Sequence, residues 1–387
     1  MTPSLRPSPA PAVQPAARPD RPSVTELRLS AYAGHRRARF PLGRLTLLAG
    51  PSGGGKSTAL RAYESLARLG SGAAVGEAFP DPAACVPERA RPDAQHRRGF
   101  RIGCTADGPE GPVRLDVAVQ AEPELRVVGE RLSAGGQVLL ETALRDPSGR
   151  SVQAAWHTGP ASVTRAPMPD DRLGTALLPL RVAGTTDGQR RVVAAAEQMV
   201  VALRSVFACD PRPSRMRAPV PVSSGRLLPG CDNLAEVLWR TRTECSIRHG
   251  LLIAAVREGC AGPVADVRSD QVADGRVRAL LDRGDGPLTH FGRLGDGELR
   301  YVGLALVLLT GPGVLTVDRP GEVPDALQVL TVLADGFDRG LDLRQRAQLL
   351  RLAARMCDRG HIRLLGAVSD ASWAEEVAGV TVVNLEP

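Results

Sequence analysis

A chain of 387 residues, 43% apolar and 24% charged, is long and apolar enough to bury a sizeable core. That excludes a disordered or fibrous protein and sets a prior of two domains, or one large domain with insertions. The net charge of +7 is compatible with nucleic-acid binding, but no basic cluster is longer than an Arg-Arg pair, and 3% aromatic content excludes a stacking platform for single strands.

Residues 1–22 carry seven prolines and no apolar run, and read as a disordered leader and not a secretion signal. Residues 24–43, VTELRLSAYAGHRRARFPLG, alternate in places and predict a hairpin feeding a strand at RLTLLA, residues 44–49. Next comes GPSGGGKST, residues 50–58, which holds the chain's only lysine among 49 basic residues. Arginine replaces lysine freely on a solvated surface, so the surviving Lys56 marks a place where a compact ammonium on a thin stem is needed. Gly50, Gly55, Lys56 and Ser57 fit G-x-x-x-x-G-K-[ST], in which backbone N–H groups cradle phosphates, the lysine reaches the terminal ones and the hydroxyl ligates magnesium. A glycine-rich linker with an incidental lysine would meet that pattern roughly one time in a thousand. Ser52, Gly53, Gly54 and Thr58 complete the loop, and the helical periodicity of residues 57–70 sets a helix N-terminus under the bound phosphates. The ligand expected here is a nucleotide with Mg2+.

Residues 71–99, rich in Pro, Ala and Arg, read as a surface excursion, and alternating runs over 100–144 predict an antiparallel lobe. Residues 148–188 carry little pattern. An amphipathic helix is expected over 191–209, two more over 232–244 and 248–259, and short strands at VADVRS and GRVRALLDR. Residues 295–320 read as a helix, a Gly-Pro-Gly stop and a buried strand, VLTV. Helices over 325–337 and 343–357, a strand over 362–368, a short helix and a strand over 380–385 follow. This order predicts an α/β fold of P-loop NTPase type with a parallel core sheet built from both ends of the chain. The expected divisions are 1–22, a first ATPase lobe over 23–145 with the antiparallel β lobe, a largely helical insertion over 146–290, and a second ATPase lobe over 291–387. The longest apolar stretch, 302–317, is broken at Thr310, Gly311, Pro312 and Gly313, too short to span a bilayer, so a cytoplasmic protein without membrane contact is expected. Seven cysteines without C-x-x-C pairing suit free thiols in a reducing compartment, and six scattered histidines suggest no zinc site.

Two further motifs follow. VLTVDRP ends a buried run in Asp318, where a carboxylate at a strand's carboxyl edge beside a phosphate loop would hold magnesium. LGDGE, residues 294–298, opens a long apolar helix whose free N–H groups favour an anion; a plain helix cap with Asp296 is the bland alternative. In this order the motifs resemble the RecF-like, SMC-like and OLD-like ABC-class ATPase heads, often labelled AAA-family ATPases, over roughly residues 24–385. The resemblance implies two heads sandwiching two ATP molecules, as a homodimer or with a heteromeric partner. It implies that Lys56 and Asp318 serve catalysis, that Ser57 and Asp318 hold the metal, and that Arg36 or Arg37 approaches the nucleotide near the base. Leu294, Gly295, Gly297 and Glu298 would contact the γ-phosphate bound by the other head.

Three positions depart from that family. Arg319 stands where a glutamate usually follows the metal-binding aspartate, Gly295 replaces the signature serine, and Ser369 or Asp370 stands where a switch histidine is expected. A guanidinium is no base near neutral pH, so slow hydrolysis is expected, with Glu322 or Asp325 as the substitute carboxylates to consider. The alternative is a non-hydrolysing nucleotide-sensing module working with a protein partner. No sustained heptads occur between residues 70 and 294, which argues against a long coiled coil, and with the last strand expected over 380–385 no C-terminal nuclease domain is expected. DNA, RNA or protein all remain open as the downstream target.

Overall fold

The computed structural model describes residues 21–159, 162–223, 225–311, 313–317 and 328–385. The chain begins with the expected hairpin, β1 (Ser23–Tyr32) and β2 (His35–Pro41), then β3 (Leu45–Ala49) and α1 (Lys56–Gly70). Short α2 (Val75–Ala78) lies in the 71–99 excursion. Six strands follow: β4 (Arg98–Asp107), β5 (Val113–Glu122), β6 (Arg126–Ala134), β7 (Gln137–Ala143), β8 (Ser151–His157) and β9 (Val163–Pro169). With the hairpin they form an antiparallel sheet in the order β2-β1-β4-β5-β6-β7-β8-β9. Its last two strands occupy the stretch in which the sequence carries little pattern.

Helices α3 (Gly174–Arg181) and α4 (Asp187–Arg204) pack beneath this lobe. Thr186 caps α4 by accepting the Gln189 N–H at 3.2 Å. The helix expected over 191–209 stops at Arg204, because the β-prone VFAC that follows is β10 (Val206–Cys209). Beyond α5 (Pro213–Met216) and β11 (Val220–Pro221) come α6 (Leu234–Glu244) and α7 (Ser246–Gly259) as expected, then β12 (Asp266–Gln271), β13 (Arg276–Asp282) and β14 (Thr289–His290), which with β11 make a small antiparallel sheet. The chain closes with α8 (Asp296–Leu309), β15 (Leu330–Ala334), α9 (Leu343–Asp358), β16 (Ile362–Val368) and β17 (Val380–Asn384).

The core sheet runs β10-β15-β16-β3-β17, and each of its neighbouring pairs is parallel. β3 (LTLLA) and β15 (LTVLA) are buried at all five positions, as strands covered on both faces must be. Successive side chains point to opposite faces: Leu48, Leu333 and Leu365 join the core under α1 and α4, whereas Leu47, Val332 and Leu364 join that of α8 and α9.

Two expectations are corrected here. The helix predicted to begin near 325 and run to 337 is instead, over its described part, the strand β15. The VLTV segment at 314–317 is no strand of the core sheet: Leu315 makes an isolated bridge with Leu227. Among the described residues no helix is long and apolar enough to cross a membrane.

Candidate functional site: a phosphate loop facing the carboxyl edge of a parallel sheet

Because the core strands are parallel, β3, β15 and β16 end at one edge, with Val368 registered on Ala49 and Gly366 on Ala334. Loops leaving such an edge form the binding crevice of open α/β sheets. The loop of residues 50–55 leaves β3 and turns into α1, with Gly53 at φ +88° and Gly55 at φ +85°. Gly55 is required twice over: its backbone is left-handed, and a Cβ there would come within 2.4 Å of His35 Nε2. His35 stands at the hairpin tip, shares a 3.0 Å hydrogen bond with the Gly55 carbonyl and packs edge-on against Phe40, ring centroids 5.4 Å apart. The hairpin thus braces the loop from outside.

Lys56 Nζ donates to the carbonyls of Gly50 at 2.6 Å and Pro51 at 2.7 Å, so the ammonium lies folded along the loop it belongs to. Ser57 Oγ donates at 2.9 Å to Oδ1 of Asp335, the residue that follows β15. A serine hydroxyl and a carboxylate in contact beneath a loop of N–H donors are the hard oxygen donors that Mg2+ takes, and Mg2+ is commonly held by one or two such ligands plus phosphate oxygens. The residues present therefore fit magnesium and a polyphosphate.

A cavity of about 570 Å³ opens over this contact, within the size range of ligand pockets. Among the described residues its cations are Lys56, Arg61, Arg339 and Arg346, and its carboxylates Asp335 and Asp338. Ser52, Gly53 and Thr58 line it as well. Asp338, 4% exposed, is committed to the Ser369 backbone N–H at 3.0 Å and accepts the Ser369 hydroxyl as well. Ser369, where a histidine was sought, is thus the cap of Asp338.

The residue after Asp335 is Gly336, at φ +61°. Arg300, on α8 and 5% exposed, donates to the Gly336 carbonyl at 2.9 Å, to the Pro211 carbonyl at 2.6 Å and to Asp210 at 3.0 Å. The signature segment sits beside this loop and does not line the cavity. Gly295 caps α8, its N–H held by Glu298 Oε2 at 3.1 Å, and Glu298 Oε1 accepts the Ala261 N–H at 3.0 Å. A Cβ on Gly297 would meet the Gly340 carbonyl at 2.3 Å, which presses the first turn of α8 against the loop after β15. Leu294 is buried, and its carbonyl accepts from Arg217.

Arg36 and Arg37 are exposed on the hairpin and do not line the cavity; from that hairpin it is His35 that touches the loop. Asp318, Arg319, Glu322 and Asp325 lie outside the described residues. Sequence reasoning missed Asp335, although a signal was there: VLTV occurs at 314–317 and again at 329–332, and only the second run goes on through two further apolar residues to an aspartate followed by GFD.

No protein-family model matches the chain, and no curated protein matches it in sequence. Among solved structures it is similar to an SMC head bound to the C-winged helix domain of ScpA, at 9% identity and TM-score 0.48, covering 89% of this chain and 90% of that one. It is similar also to the SMC head domain from Thermotoga maritima, at 12% identity and TM-score 0.44, covering 93% and 94%. A third is an SMC head with an extended coiled coil bound to the C-terminal domain of ScpA derived from Pyrococcus furiosus, at 10% identity and TM-score 0.45, covering 94% of each chain.

Proposed function

We propose that this chain is an ATP-binding head of the ABC-class ATPase type, in which Lys56 and the loop of residues 50–55 hold the phosphates and Ser57 and Asp335 hold Mg2+. The observation that carries the reading is the 2.9 Å contact between Ser57 Oγ and Asp335 Oδ1, because it joins the loop's metal-binding hydroxyl to a carboxylate at the shared edge of β3 and β15. When bound, magnesium neutralises phosphate charge. The protein's share is to present the loop N–H groups, the ammonium and two oxygen ligands in one place.

Hydrolysis is proposed to be slow. Gly336 offers no side chain beside Asp335, and the two carboxylates that line the cavity among the described residues are already engaged, Asp335 by Ser57 and Asp338 by Ser369. Among the described residues no carboxylate lining the cavity is left to orient water, and single parts of phosphoryl-transfer machinery are worth orders of magnitude in rate. ATP would then act chiefly as a switch ligand. The α8 N-terminus, with Gly295 and Asp296 exposed and outside this chain's own cavity, is available to a second head carrying bound nucleotide, as a homodimer or with a partner protein. The test is MgATP binding and steady-state phosphate release for the wild type beside Lys56→Ala. Tight binding with little release, both lost in Lys56→Ala, supports the reading, and absence of binding by the wild type overturns it.

A further inference from the structure

Gly336 and Arg339 face each other across the turn that follows β15. A Cβ built on Gly336 would lie 2.7 Å from Arg339 Nε and 2.8 Å from its Cζ and Nη2, so the guanidinium fills the space that a side chain at 336 would enter. The place next to the metal-facing Asp335 is therefore held by a cation. Arg339 also lines the same cavity as Lys56 and Ser57.

Its present partner is a loose one. Arg339 Nη1 lies 3.4 Å from Asp210 Oδ1, and its side chain is 56% exposed. The same carboxylate oxygen takes Arg300 Nη1 at 3.0 Å, and Arg300 is buried and fixed by backbone carbonyls as well. One carboxylate shared by two guanidiniums is the anchor of the buried one and a weak resting place for the exposed one. A phosphate oxygen entering the cavity offers Arg339 a stronger acceptor, because a planar fork matches phosphate with two charge-assisted hydrogen bonds.

We infer that Arg339 reads the terminal phosphate: it rests on Asp210 when no nucleotide is bound and turns onto the γ-phosphate of a nucleoside triphosphate. This rests on the nucleotide-binding reading of the site above. The loop and Lys56 serve triphosphate and diphosphate alike, whereas a γ-phosphate extends the ligand toward Asp335 and the turn that carries Arg339. The residue thereby makes the head respond to triphosphate rather than to diphosphate without any hydrolytic step.

The test uses the full chain and Mg2+ with two probes, the non-hydrolysable β,γ-imido analogue of ATP and ADP. Arg339→Ala is expected to lose about ten-fold or more in affinity for the triphosphate analogue, the size of one charge-assisted hydrogen bond, and less than about three-fold for ADP. Arg339→Lys, which keeps the charge and loses the fork, is expected to fall between. Equal losses for both probes, or no loss for either while the wild type binds them, overturns the inference and leaves the nucleotide reading standing. Wild type that binds neither probe overturns both.

Discussion

Asp335→Asn is the perturbation that most directly tests how the site is assembled. The amide keeps the shape of the carboxylate and can still accept the Ser57 hydroxyl across 2.9 Å, so folding should be preserved. What it loses is the negative charge that would face the proposed metal. A charged ligand or hydrogen-bond partner of this kind contributes about 2 kcal/mol, and at 1.4 kcal/mol per decade that is about a thirty-fold weaker binding of MgATP. The assay is equilibrium binding of a fluorescent ATP analogue, run with Mg2+ and again with excess chelator. The loss should appear with Mg2+ and vanish with chelator, because the role proposed for the carboxylate is to hold the metal. Asp318→Asn, made beside it, should bind like wild type. Unchanged Mg2+-dependent binding in Asp335→Asn, or the same loss appearing in Asp318→Asn instead, would refute the assignment of Asp335.

Other outcomes follow from the same geometry. Gly336→Glu alone should not raise phosphate release, because φ +61° resists a side chain and the Arg339 guanidinium occupies its space; the double variant Gly336→Glu with Arg339→Ala should release more phosphate than either single change, and a rise in Gly336→Glu alone would contradict this packing. Glu130 is fully buried and accepts the backbone N–H groups of Gly174 at 2.6 Å and Thr175 at 2.7 Å, so Glu130→Ala strands two buried donors and should lower stability by about 3 kcal/mol, seen as a lower urea midpoint. Burial opposes ionisation of Asp266, but hydrogen bonding and charge from His249, with the Val267 N–H and Arg242, outweigh it, and its carboxyl titrates below the ordinary range. A depressed folded-state value stabilises above the unfolded pKa and is lost as pH falls through the folded one. The stability gap between wild type and Asp266→Asn should therefore be full above about pH 4 and close at lower pH; a gap that widens on acidification would refute the assignment.

The sequence was most legible where local chemistry dictates structure. Residues 50–58 are readable because φ +88° and +85° at positions 53 and 55 favour glycine, and because a lone lysine in a chain that otherwise uses arginine falls within a phosphate-loop spacing. The hairpin before the loop and helices α6, α7 and α9 showed in their periodicity, and Asp342 caps α9 by accepting the Gln345 N–H at 2.7 Å. Legibility failed where burial is complete on both sides. β15 has no alternation because both its faces are covered, and five apolar residues in a row do not separate a buried strand from a stretch of helix. The tertiary partner decides, and Asp335 became a site residue only when β15 was laid against β16 and β16 against β3. Arg36 and His35 fail in the same way: nothing in HRRAR says which side chain of the tip meets the loop.

The connection between α8 and the acid loop suggests how a binding event could leave the site. Arg300 joins α8 to the carbonyls of Gly336 and Pro211, and Gly297 packs without a side chain against Gly340, so the first two turns of α8 and residues 335–340 are tied at two points. Packed elements tied in this way shift as a unit. If Arg339 leaves Asp210 for a phosphate, Asp210 keeps, among the described residues, the Arg300 ion pair, and the turn from Asp335 to Gly340 is held from the nucleotide side instead. Any displacement of that turn reaches Gly297 directly and carries the exposed Gly295 and Asp296 with it. On the proposed reading, a triphosphate sets the presentation of the α8 N-terminus to a second protein by binding alone, so a head with slow hydrolysis would still respond to nucleotide.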